Sequence, residues 1–399
     1  MKYKQIFKLK YSLTFRLAVS FFSALLLMAV GPVLLHNQVA ADPTWSTPSP
    51  VDSTTSAVPS SISCPSPTLC LTVDQNGNVL SYNGTTWSAP VNIDSSNTLT
   101  SISCPSISFC MAVDNAGNIF DYNGATWELS SAVDSGNDLA SISCPSSTFC
   151  IAVDSAGNVL SYDGSSWTSA VLSHGELDLN NVSCADSDFC VASDLNGNYS
   201  TYDGSSWTVP EDIDGTNTLT GISCVDDSFC IMVDEYGNYF IYNGSNWTGP
   251  TNIDSTNLIN SLSCTSETFC VAVDNVGNYL LYNGSSWSAA ENIDSVGSGT
   301  GSNNIVTVSC TSTTFCIALD LADNAMIYTN QTLPVTNPTP TTQTNLKAPN
   351  TGAGLFLTNP WTVPTGLTLI SLSLTAPLWF PKLAGNLKKV KNLKNLIIF

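Results

Sequence analysis

The chain has 399 residues, 11 Lys and Arg against 31 Asp and Glu, and a formal net charge of −20. Every basic residue lies in 1–16 or 347–394 and every acidic one in 42–323, so the stretch from Asp42 to Leu346 carries no cation. Such a body forms no ion pairs of its own and repels phosphate backbones and anionic headgroups, which excludes nucleic acid as a partner.

The chain opens with Lys2, Lys4, Lys8, Lys10 and Arg16, followed by an apolar run from Leu17 to Leu35 and the small residues Val39-Ala40-Ala41 before Asp42. A basic start, an apolar middle and small residues at the cut predict a secretory signal peptide over 1–41. An uncleaved membrane anchor shares the first two features. Both place the remainder outside the cytoplasm.

From residue 61 one sentence recurs at 101, 141, 181, 221 and 261, typified by "SISCPSISFCMAVDNAGNIFDYNGATWELSSAVD" at 101–134; a seventh copy starts near 307. Each copy reads as four short strands: "SIS" with Cys104, then "FCMAVD", "NIFDY" and "TWELSSAVD". "NAG" and "NGA" turn the chain between them. Asn-Gly or Asp-Gly recurs at 83–84, 123–124, 163–164, 203–204, 243–244 and 283–284. Between strands this predicts a tight hairpin with both central residues at positive φ.

The fourteen cysteines form seven C-x5-C pairs: Cys64-Cys70, Cys104-Cys110, Cys144-Cys150, Cys184-Cys190, Cys224-Cys230, Cys264-Cys270 and Cys310-Cys316. Even count, regular spacing and export predict disulfides joining the first two strands of each unit. No histidine or second short cysteine pair accompanies them, so zinc is not expected.

Four antiparallel strands per 40 residues is the signature of a propeller blade. The chain ends separate a closed ring from a linear stack of hairpins. The last unit, 307–330, stops after its third strand and lacks a tryptophan, while "TWSTPSPVD" at 44–52 matches "TWSAPVNID" at 86–94. The expected fold is therefore an all-β, seven-bladed β-propeller over 42–331, its last blade completed by the N-terminal strand. Tyr82/Trp87 and its counterparts, with Tyr328/Trp45 in the last blade, supply the aromatic area between blades. The chain resembles secreted bacterial propellers built from SCxSxxFCxAVDxxGNxxxYNGxxW repeats. A closed ring is expected to be monomeric.

Residues 332–347 form a Pro/Thr-rich linker. Ala348-Pro349-Asn350-Thr351-Gly352 follows, then an apolar stretch from Leu355 to Phe380 and Lys382, Lys388, Lys389, Lys391 and Lys394. This order resembles the LPxTG-type sorting signal of sortase substrates, with Ala348 in place of the leucine. The resemblance implies a sortase-like transpeptidase as partner, cleavage after Thr351 and attachment to the cell wall. A plain C-terminal membrane anchor over 348–399 is the other reading, and basic residues after the apolar span leave the repeats outside in both.

Propeller geometry puts the turn after strand two and the loop after strand four on one face. The first carries Asp74, Asp114, Asp154, Asp194, Asp234, Asp274 and Asp320. The second carries Asp52, Asp94, Asp134, Asp214, Asp254 and Asp294, with His174 in the third blade. Two carboxylate rings at one mouth would suit an oxygen-ligated cation such as calcium. Asp and Asn equally cap tight turns through their own backbone. The Asp–Gly–Trp rhythm resembles the Asp-box repeats of sialidases, but those enzymes grip the sugar carboxylate with arginines, and this body has none. Hydrolysis by another route needs a blade that breaks symmetry; 173–178, Glu211-Asp212 and Asp226-Asp227 with Glu235 are the places. Near-identical blades favour repeated weak sites for a carbohydrate or surface-protein ligand, without catalysis. A secreted glycan-active hydrolase and a purely structural surface spacer are the alternatives.

Overall fold

A computed structural model of the protein describes residues 44–52, 57–134, 136–168, 171–172, 177–294 and 303–329, all within the unit 1–335. The signal segment, the linker and the sorting-like tail lie outside the described residues, as does His174. The described residues form seven antiparallel sheets in a ring and contain no helix.

Blade 1 shows the pattern, with strands Pro59–Ser66, Leu69–Asp74, Asn78–Tyr82 and Val91–Asn92 paired in sequence order. The second strand of each blade lies between two neighbours in its sheet, and its faces meet the adjacent blades. In blade 2, Phe109–Asp114 is accordingly buried from Cys110 onward, as a short, unbroken apolar run predicts. The seventh blade comprises Ile305–Ser312, Phe315–Asp320 and Asn324–Thr329 and is finished by the N-terminus. There Thr44 and Trp45 pair with Thr329 and Tyr328, and Ser49 and Pro50 with Ala325 and Asn324. The ring closes as the split repeat predicts.

Two details differ from the sequence reading. The fourth strand is continuous only at Trp127–Ala132 and Trp247–Asn252. In blades 1, 3, 4 and 6 it is an isolated Tyr–Trp bridge followed by a two-residue strand. The Asn-Gly turns are also not two-residue hairpins. Gly84 takes φ 93° while Asn83 stays at negative φ, because its Oδ1 accepts from the Thr85 and Thr86 N–H groups and turns the chain over four residues.

All seven disulfides form, with Cα atoms 4.0–4.1 Å apart. Each closes a short hairpin and stabilises by roughly 2–3 kcal/mol on the chain-entropy estimate. The Tyr–Trp pairs sit 5.2–5.5 Å apart in every blade. Phe149 and Phe189 stack on Tyr202 and Tyr242 of the following blades.

Successive inner strands are joined by serine. The hydroxyl of Ser63 accepts from the Cys104 N–H at 3.0 Å, and the same bond runs from Cys144 to Ser103, Cys184 to Ser143, Cys224 to Ser183, Cys264 to Ser223 and Cys310 to Ser263. Cys64 N–H closes the circle on Ser309 at 3.0 Å. Inside this belt runs a neutral channel of about 260 Å³, lined by Ser61, Ser101, Ser141, Asn181, Ser261 and Thr307 among others.

Removing one of these hydroxyls strands a part-buried N–H group. S103A is expected to cost about 1–3 kcal/mol in urea unfolding, against under about 0.5 kcal/mol for the exposed control S155A. Equal midpoints for the two variants would contradict the serine belt.

Candidate functional site

The predicted carboxylates lie at one end of the ring, turned inward. Asp74 Oδ1 accepts from the N–H groups of Asn76 and Asn78 at 2.8 and 2.9 Å, and its Oδ2 from Asn78 Nδ2 at 2.9 Å. The same set binds Asp114, Asp154, Asp194, Asp234, Asp274 and Asp320, all buried. Each therefore organises the D-x-x-G-N turn that carries it. The glycine is needed for space as well as for φ. A Cβ on Gly77 (φ 75°) would lie 1.7 Å from the Asp94 carbonyl oxygen, because the loop after strand four crosses here and donates Ile93 N–H to Gly77 O. Blade 7 has Asp323 at this position, at φ 61°, where its Oδ2 accepts from the Asp52 N–H.

That crossing brings the second ring of carboxyls onto the first. Asp94 meets Asp114 of the next blade, and Asp134, Asp214 and Asp254 meet Asp154, Asp234 and Asp274. Asp294 is buried at the equivalent place in blade 6. No N–H or O–H of the described residues reaches Asp134 Oδ2, Asp214 Oδ2 or Asp254 Oδ2. A proton shared with the facing carboxyl satisfies them. Burial, then the facing carboxyl, pushes Asp134 up to about 6 and Asp214 and Asp254 up to about 7. Burial also raises Asp323 to about 7, with the charges of Asp52, Asp74 and Asp320 adding. In the first seam Asp114 is the member shifted upward, chiefly by burial. Burial opposes ionisation of Asp94, but hydrogen bonds from Asp114, Ser96 and Asn97 outweigh it and hold that group lower.

Among the described residues, no group of three or more His, Cys, Asp or Glu side chains could hold a metal ion. Of the residues considered for catalysis, 173–176 lie outside the described residues, and the others are not brought together. Glu211 and Asp212 lie exposed on the fourth strand of blade 4. Asp226 caps the hairpin before Phe229–Asp234, accepting from Ser228 N and Oγ, whereas Glu235 follows that strand and accepts from Thr218 N. A six-residue strand separates those two carboxylates by about 20 Å.

What the sequence reading missed lies on the outer wall. A groove of about 490 Å³ opens between blades 1 and 2, lined by Val79, Val91, Tyr122, Trp127 and Leu129 among others. Its counterpart of about 470 Å³ between blades 4 and 5 is lined by Tyr199, Glu211, Asp212, Tyr242, Asn246 and Trp247 among others. The tryptophans are half-buried there, packed on their tyrosines with one side left to the groove.

No family model and no curated protein matches the sequence. Solved structures do match it in fold. The structure of YCF48 bound to D1 peptide is similar at 16% identity and a TM-score of 0.58, covering 74% of this chain and 99% of that one. YCF48 from Cyanidioschyzon merolae is similar at 14% identity and a TM-score of 0.55, covering 71% and 99%. At such identities the likeness is one of fold, and it agrees with the seven-bladed ring.

The paired carboxyls make stability depend on pH. Their ordinary value is 3.8, and the folded state raises it. The stabilisation is therefore complete below about pH 4 and is lost as pH rises through about 6 to 7. Repulsion within the cation-free body acts in the same direction. The melting temperature is expected to fall by about 5 °C or more between about pH 5 and pH 8. In the variant D134N/D214N/D254N, whose amides donate at any pH, the slope should flatten. An unchanged slope would assign the effect to general charge repulsion instead.

Proposed function

We propose that this propeller is a non-enzymatic binding module held outside the cell, which engages a glycan, wall polymer or surface-protein ligand through repeated weak sites. The observation that carries this reading is the recurrence of one groove, walled on one side by a Tyr–Trp pair, at equivalent outer seams of different blades. Equivalent sites on a rigid ring convert millimolar contacts into useful avidity. The D1 peptide bound by YCF48 supports a protein ligand by analogy of fold. Seven disulfides suit an oxidising compartment, which agrees with export directed by 1–41 and anchoring through 348–399.

The test presents the protein to immobilised glycans and to surface-protein extracts, with and without calcium, while product release from polysaccharides is followed. Binding that strengthens about a hundredfold when the ligand is displayed multivalently, with no turnover, is the expected result. Turnover abolished by D227N or E211Q would replace this reading with a hydrolase, and silence in every arm would leave a structural spacer.

A further inference from the structure

The blades differ most informatively at the second residue of the third strand. That position reads Val79, Ile119, Val159, Tyr199, Tyr239, Tyr279 and Ala325. Its cross-strand partners are Val91, Ser131, Val171, Glu211, Thr251, Glu291 and Ser49. Tyrosine faces glutamate in blades 4 and 6 alone. In both, the tyrosine hydroxyl donates to the glutamate Oε2 at 2.9 Å. In both, the tryptophan of the next blade packs on the same tyrosine, Trp247 at 5.6 Å from Tyr199 and Trp45 at 5.4 Å from Tyr279. The same Tyr–Glu–Trp set thus occurs twice at outer seams, with the intervening seam lacking the acid.

Both glutamates are exposed, and each has Oε2 fixed by tyrosine while Oε1 accepts from no described residue. Asp212 beside Glu211 is held through Oδ1 by the Gly215 N–H at 2.7 Å and adds a second carboxylate to the blade 4/5 groove. A carboxylate held in place by tyrosine beside an indole and a second phenol is chemistry for a cation. No such cation can come from the body, which has no Lys or Arg between Asp42 and Leu346. The field of 31 carboxylates draws a cation to the wall and does nothing for a neutral sugar.

We propose that the seams between blades 4 and 5 and between blades 6 and 7 each seat an Arg or Lys side chain from a basic segment of a partner protein, the charged group on Glu211 or Glu291 and its stem along Trp247 or Trp45. This rests on the reading of the chain as a binding module and names the ligand for two of its seams. The groove between blades 1 and 2, with Val79 and Val91 in place of tyrosine and glutamate, is the uncharged counterpart and takes no cation.

Calorimetry on the full chain in mild detergent, at about 150 mM salt to screen diffuse attraction, tests this with two probes: acetyl-tetra-arginine amide and cellotetraose. Two peptide sites are expected. E211Q should remove one and leave the other, and E211Q/E291Q should weaken binding about tenfold or more. The control E128Q/E267Q, which neutralises two exposed carboxylates elsewhere, should stay within about twofold. Y199F preserves packing and should weaken the first site alone. Equal losses for the two double variants would reduce the interaction to diffuse charge and overturn the proposal. Binding of cellotetraose instead, lost in E211Q/E291Q, would overturn the cationic ligand while sustaining the binding module. Silence with both probes overturns the proposal, and the broader ligand screen then decides the module separately.

Discussion

Seven backbone N–H groups, one per blade, each donate to a serine hydroxyl of the neighbouring blade at 2.9–3.0 Å, and the rest of the ring depends on that belt. Inner strands of successive blades lie side by side without sharing a sheet, so their inward N–H groups find no partner in a ladder. A buried amide left unpaired costs about 1–3 kcal/mol. A serine immediately before each first cysteine meets that need, and it is short enough for the strands to crowd the axis. The disulfide at the next residue then locks that strand to the second, so clasp and staple occupy adjacent positions in every copy.

The belt matters more because charge contributes nothing attractive. A body of 31 carboxylates and no cation must be held by neutral hydrogen bonds, aromatic packing and covalent links. It also has to place its acids somewhere. The mouth carboxylates meet this by serving as turn organisers and by sharing protons in pairs across the seams. Of the acids exposed on the outside, two, Glu211 and Glu291, are positioned by tyrosine. The acids are thereby divided by radius from the hydroxyls at the axis, with facing carboxyls paired at the seams and exposed, aromatic-flanked ones on the wall.

Much of this was legible in the repeats. The split of "TWSTPSPVD" from a last unit without tryptophan identifies a closed ring because only a ring uses both ends. An even cysteine count at a regular C-x5-C spacing predicts the disulfides that form. Ser63 and its counterparts were legible only as small residues, since their role depends on a strand 40 positions away. The acid rings were legible as two sets on one face, but their burial and pairing arise where the loop after strand four crosses Gly77, a contact that spacing does not encode. The Tyr–Glu–Trp seams were hidden for a similar reason. Tyr199 reads as one more strand aromatic until register sets it opposite Glu211 and ring geometry brings Trp247 of the next blade against it.

The seam joining the N-terminal and C-terminal ends of the ring is as tight as the six within the chain. Native-state amide hydrogen exchange at the seven inner cysteines, Cys64, Cys104, Cys144, Cys184, Cys224, Cys264 and Cys310, measures this directly. A closed belt predicts that all seven exchange only with global unfolding and share one protection within about threefold. Exchange at Cys64, whose partner Ser309 lies 245 residues away, that is faster than at the other six by about a hundredfold or more would mean that the ring is open at that seam.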